Sequence, residues 1–249
     1  MSSSAFLGLP IEFNGFSIYP PTIKEVVSTY RFPLYCELLL ATVEDYEDQV
    51  VKPANDFRFP PDWVAPDPFY IILAIVAESQ EGEDLIREAL QFFTKEDNII
   101  FDLKRELIVV GDLSKKIIEG FDAFPKIDKD NYIDFQNALR MAIGRELYEP
   151  PDKDMLPQVR RIKAMARYRE RVKGLGSTPL DLMTALCCMG IGLTPLNVGD
   201  ITYAAALDLQ ERYQLKEKYD IEVRVMTSGF GAEKPKDFRH WTLPRKKEK

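Results

Sequence analysis

The chain contains a single histidine, His240, among 249 residues, and that scarcity excludes a wide range of chemistry. Sites with two or three histidine ligands, including the HExxH zinc signature, cannot be assembled within one chain. A Ser-His-Asp or Cys-His arrangement would have to recruit His240 from Phe238-Arg239-His240-Trp241, an aromatic and basic stretch with nothing that marks a catalytic base. Cysteine is nearly as scarce. Cys36, Cys187 and Cys188 are the only three, two of them adjacent and able to bridge only with strain, so all three read as reduced core thiols. The longest apolar run, Phe69 to Ala77, falls well short of the roughly 18 residues that a membrane-spanning helix requires. Met1-Ser2-Ser3-Ser4-Ala5-Phe6 offers neither the basic flank nor the apolar stretch of an export signal, so the expected location is the cytoplasm of the cell that makes the protein.

Motifs for phosphate and metal are missing as well. Gly174-x-Gly176 follows a basic helical stretch instead of a strand and lacks the rest of a dinucleotide or Walker pattern, so it reads as a linker. Asp128, Asp130 and Asp134 suggest a calcium loop, but Ile133 and Leu139 stand where that loop needs glycine and glutamate. The acidic clusters at 44–48 and 81–84 read as solvated helix ends. No catalytic residue, no cofactor and no metal is therefore expected, and the chain is not expected to be an enzyme.

What is present is a globular composition, 45% apolar and 29% charged, of a size for one large or two small domains. Charge divides it: residues 1–150 carry 14 Lys+Arg against 27 Asp+Glu, and residues 151–249 carry 19 against 13. The change falls at Pro150-Pro151, which predicts an acidic N-terminal helical domain with β-hairpins over 1–150 and a basic helical C-terminal domain over 151–249. The fold class is mainly α (α+β), with two subdomains.

The local signals are specific. Asn14-Gly15 inside Ile11-Glu12-Phe13-Asn14-Gly15-Phe16-Ser17-Ile18 predicts a hairpin on a type I′ turn, with Phe13 opposite Phe16 and Ile11 opposite Ile18. Thr22 caps a helix beginning near Ile23, and another runs from Pro33 to Leu40. Asp67-Pro68 opens a helix apolar on every side, expected as the buried centre of the N-terminal domain. Gly82-Glu83-Asp84 starts the next, with Leu85, Ile86, Leu90 and Phe93 inward. Ile99, Phe101 and Leu103, then Leu107 and Val109, predict a second hairpin around Lys104-Arg105-Glu106. Tyr132, Phe135, Leu139 and Ile143 mark an amphipathic helix. Thr178-Pro179 and Thr194-Pro195 both read as cap-plus-proline helix starts with Gly190-Ile191-Gly192 between them, and Asp200 as the cap of a long last helix.

One charge feature points to binding. Val159, Ile162, Met165, Tyr168 and Val172 form an apolar stripe, and the other faces of that stretch carry Arg160, Arg161, Lys163, Arg167 and Arg171 along with Arg169 and Lys173. Such a helix suits a phosphate backbone. The net charge of −7 and the lack of a nucleic-acid motif disfavour that reading against an acidic protein surface, including the acidic half of another copy, and a merely solvated charged face accounts for the pattern equally well.

Several segments resemble tail assembly chaperones of tailed bacteriophages that infect Gram-positive hosts. These are Asp134-Phe135-Gln136-Asn137-Ala138-Leu139-Arg140, the stretch from Arg160 to Arg169, Cys187-Cys188-Met189-Gly190-Ile191-Gly192-Leu193-Thr194-Pro195-Leu196-Asn197, and Lys216-Glu217-Lys218-Tyr219-Asp220-Ile221 onward to His240-Trp241. The resemblance implies a non-enzymatic factor of the host cell cytoplasm that coats the long tape-measure protein and helps tail-tube protein polymerise around it. It also implies a short product sharing residues up to about 150 and a frameshifted longer one. The competing expectations are a structural tail or baseplate subunit retained in the virion, an RNA-binding factor using the arginine-rich helix, and a metal-dependent hydrolase built on carboxylates alone.

Changing Arg160, Arg161, Arg167 and Arg171 together to Glu is expected to leave folding intact, because these positions lie off the apolar stripe, and to weaken self-association or partner capture, read by sedimentation and by pull-down. RNA co-purifying with the wild type, with a salt slope near the six or so phosphates such a helix neutralises, would reverse that assignment.

Overall fold

The computed structural model describes residues 3–45, 67–111, 124–149 and 178–228, and they form a mainly helical fold with two small antiparallel sheets. The Pro150-Pro151 boundary, the arginine-rich stretch and His240 lie outside the described residues.

After a short helix, α1 (Ser3–Leu7), the chain makes the Asn-Gly hairpin of β1 (Ile11–Phe13) and β2 (Phe16–Ile18) in the anticipated register. Asn14 and Gly15 both take positive φ, 42° and 89°, as a type I′ turn requires. Phe13 and Phe16 meet edge to face at 5.4 Å. Thr22 then caps α2 (Ile23–Ser28) through a full capping box with Glu25, and α3 (Phe32–Leu39) follows.

Asp67 caps α4 (Pro68–Glu78) with Pro68 at its first position, as read. Its placement differs from the expected buried centre. Phe69, Ile72, Leu73 and Val76 are buried, while Tyr70, Ala74 and Ala77 face outward. The reason is a corner. Ser79 ends α4 and caps α5 (Gln80–Thr94), so the two helices fold back on one another and leave one flank of α4 at the surface. This start lies ahead of Gly82, which serves the contact instead: a Cβ on Gly82 would sit 2.4 Å from the Ile75 carbonyl oxygen.

The second hairpin joins β3 (Ile99–Asp102) to β4 (Leu107–Val110). No glycine is needed in its four-residue loop. Asp102 Oδ1 accepts from the backbone N–H groups of Lys104 and Arg105, and Glu106 takes the left-handed position at φ 53°. A third strand, β5 (Lys126–Asp128), pairs with β4 and was not anticipated, since three residues with one apolar side chain show no alternation to read.

α6 (Tyr132–Ala142) buries the stripe Tyr132, Phe135, Leu139 and Ile143. Phe135 lies 5.6 Å from Phe13 and 6.3 Å from Phe16, and Tyr132 lies 5.4 Å from Phe69, so one helix joins the first hairpin to α4. It ends in a Schellman motif, with Arg145 N–H donating to Arg140 O and Gly144 N–H to Met141 O. Gly144, at φ 75°, also admits close approach: a Cβ there would lie 3.0 Å from Ala204 Cα.

Residues 178–228 form α7 (Pro179–Cys188), capped by Thr178 with Asp181 in a capping box, and the 25-residue α8 (Tyr203–Thr227). Thr194-Pro195 does not open a helix. Asn197 Oδ1 accepts from the Thr194 N–H and hydroxyl, closing a turn that leads only to a 3-10 segment at Val198–Asp200. Asp200 belongs to that segment, and the cap of α8 is Thr202, whose hydroxyl oxygen accepts from Ala205 N–H. These elements build a second core, Leu182, Leu186, Val198 and Ala206, completed by Ile23 of α2. Of the three thiols expected in cores, Cys36 is buried, Cys187 half-buried and Cys188 exposed, because α7 turns Leu182 and Leu186 inward.

Gly82→Ala tests the α4–α5 corner. Alanine gains about 1 kcal/mol in an ordinary helix interior. Here the 2.4 Å approach to backbone forces the helices apart, and a net loss of about 1–3 kcal/mol is expected in urea unfolding.

Candidate functional site

Several titratable groups of the described residues are held in structural settings. Burial pushes the Cys36 thiol up to about 11, leaving it protonated at neutral pH and unsuited to thiolate chemistry. Burial, reinforced by Glu88, pushes Tyr35 up to about 12. Burial also opposes ionisation of Glu25, but its hydrogen bond with Lys95 and the Thr22 backbone outweigh that and hold it below the usual carboxylate range. Tyr148 is driven upward by burial and by donating its hydroxyl to Glu44 Oε2 at 2.8 Å.

Of the carboxylates weighed as a calcium loop, that of Asp128 serves a local turn. Asp128 Oδ1 accepts from the backbone N–H groups of Asp130 and Asn131, and Asn131 Oδ1 accepts from Asp128 N–H, which closes the turn into α6. No group of three or more His, Cys, Asp or Glu side chains placed to hold a metal ion occurs among the described residues.

A polar cluster of several linked hydrogen bonds lies where α6 meets the end of α3. A helix C-terminus leaves carbonyls without intrahelical donors, and α6 supplies them. Gln136 Nε2 donates to Leu39 O at 3.0 Å and Ala41 O at 2.7 Å, the Tyr132 hydroxyl donates to Leu39 O at 3.0 Å, and Arg140 Nη2 donates to Leu40 O at 3.0 Å. Asn137 then exchanges two hydrogen bonds with the backbone of Tyr148, and the Arg140 guanidinium lies 5.5 Å from the Tyr148 ring centre. Gln136 is fully buried. The cluster fixes the α3–α6 register and turns no reactive atom toward solvent.

Surfaces offer more than clefts do. An open concavity of about 470 Å³ lies against Gln214, Glu217, Lys218, Ile221 and Glu222 of α8. Large apolar side chains stand exposed in the C-terminal elements: Leu180, Ile191 and Leu196, the last 95% exposed, and on α8 Ile221 at 60% and Val225 at 47%. Beyond Ala206 no residue of α8 is fully buried. The basic residues read as a partner surface, Arg160, Arg161, Lys163, Arg167 and Arg171, lie outside the described residues, so the structure neither groups nor separates them. Ile221 and Val225 were missed as candidates, although their spacing of four amid charged neighbours was a legible helical signal. No helix of the described residues is long and apolar enough to cross a membrane. Comparison of the chain with models of protein families, with curated proteins and with solved structures finds no match.

Gln136→Leu keeps the volume roughly constant and removes the donor shared by Leu39 O and Ala41 O. Leu39 O keeps the Tyr132 hydroxyl while Ala41 O loses its side-chain donor, and a loss of about 1 kcal/mol is expected, measured as a lower urea midpoint at unchanged slope.

Proposed function

We propose that this protein is a non-enzymatic binding factor that holds a long, aggregation-prone helical protein in solution, in the manner of the phage tail assembly chaperones its sequence resembles. On this reading the clients are the tape-measure protein and the tail-tube protein, and the site of action is the host cell cytoplasm. The observation that carries it is the exposure of Leu180, Ile191 and Leu196 on the C-terminal elements, the part of the chain in which the resemblance is strongest. Exposed apolar side chains suit helix-in-groove capture of an amphipathic client.

The physical task is mass action. A tape-measure protein exposes long apolar stripes until the tube encloses it, and many weakly bound copies covering those stripes lower the population free to aggregate. Basic residues at 160–171 add an electrostatic contribution toward acidic clients.

Co-expression is expected to move the tape-measure protein from pellet to supernatant and to co-purify this chain with it in more than one copy. A tape-measure protein equally insoluble with and without this chain would sink the reading. Abundance of the chain in purified virions would assign it to the tail structure instead.

A further inference from the structure

We infer that the distal half of α8 is a self-association surface on which a second copy of this chain pairs antiparallel. This inference goes beyond the chaperone reading and stands independently of it. α8 presents two unlike faces past Ala206. Tyr219, Val223 and Met226 are half-buried, whereas Gln214, Lys218, Ile221 and Val225 follow one another at steps of four, three and four and are all exposed. That spacing is the seam of a two-helix coil. A lone helix of this length, about 37 Å, gains most of its stability in water from packing along such a face.

Charge chooses the occupant and its direction. Glu217 and Arg224 flank the seam on one side, and Glu222 flanks it on the other beside Lys218. None of these four makes an ion pair among the described residues, while the neighbouring Lys216 and Asp220 are already paired at 2.8 Å. A parallel pair would set Lys218 against Lys218 and Glu217 against Glu222 of the other copy, both repulsive. An antiparallel pair with Lys218 level with Ile221 of the other copy brings Glu217 to the other copy's Arg224. Two-fold symmetry repeats that contact. The Lys218 stem then lies along Ile221 with its ammonium beside the other copy's Glu222. The surface is self-complementary in one direction only. Its small extent, below the roughly 1,200 Å² of a standard interface, makes the pairing weak and concentration-dependent.

Sedimentation velocity on the full chain across a concentration series at low salt tests this. The wild type is expected to shift toward a dimer as concentration rises. Glu217→Arg should weaken the association by about tenfold or more, the combination Glu217→Arg with Arg224→Glu should restore it, and Ile221→Lys should abolish it. Helical circular dichroism should match the wild type in each case, since all these positions are exposed. Direction is read by cross-linking in a Cys187→Ser, Cys188→Ser background: Lys218→Cys and Ile221→Cys chains mixed together should form the mixed disulfide in preference to either self-disulfide. A wild type that stays monomeric throughout, a Glu217→Arg chain that associates normally, a double variant that fails to recover, or preferential self-disulfides would each overturn the proposal.

Discussion

Two threonine N-caps lying back to back hold the C-terminal elements to the rest of the molecule. Thr22 caps α2 and Thr202 caps α8, and the two residues form an antiparallel bridge. The first N–H of a helix has no intrahelical acceptor, and here each helix satisfies the other. Ile23 N–H donates to Ile201 O at 2.9 Å, and Tyr203 N–H donates to Pro21 O at 2.8 Å. The side-chain caps and the backbone bridge therefore use different donors of the same two helix ends. Ile23 enters the second core beside Leu182 and Leu186, and Tyr203 meets Phe32 edge to face at 5.2 Å. The cap of α2 is also tied outward, because Glu25 of its capping box pairs with Lys95 at the end of α5.

α6 carries the complementary burden within the N-terminal elements. One side brings Phe135 to the first hairpin, another supplies donors to the open carbonyls of α3, and its Schellman end places Gly144 against Ala204 at the start of α8. Hydrophobic packing, helix capping and close backbone approach thus meet on one element. Four side-chain hydrogen bonds from α6 to the carbonyls at the end of α3 specify the α3–α6 register more tightly than apolar contact alone would.

Much of this was legible locally. The Asn-Gly hairpin, the caps at Thr22, Asp67 and Thr178, and the inward stripe of Tyr132, Phe135 and Leu139 follow from short-range rules. Those rules failed where two local candidates competed or where the partner was distant. Thr194-Pro195 has a helix-start signature, but Asn197 closes the turn first, and Asp200 loses the cap of α8 to Thr202 two residues on. Lys126-Ile127-Asp128 becomes a strand only because β4 offers an edge. Of the candidate site, the basic stretch was visible as composition. The spacing of Ile221 and Val225 was legible too, but that the pair stands exposed while the start of the same helix, Ala204 to Ala206, is buried depends on packing.

The sequence by itself determined the helical class, the turn at Asn14-Gly15 and the caps at Thr22, Asp67 and Thr178, because each depends on residues a few positions apart, and its single histidine forbids the chemistries that need two. Only the tertiary structure decided which face of α4 meets solvent, why Gly82 must lack a side chain, which carbonyls Gln136 serves and how Thr22 finds Thr202. These are contacts between residues far apart in the chain or facing across a corner, and they depend on the packing of whole elements rather than on local propensity.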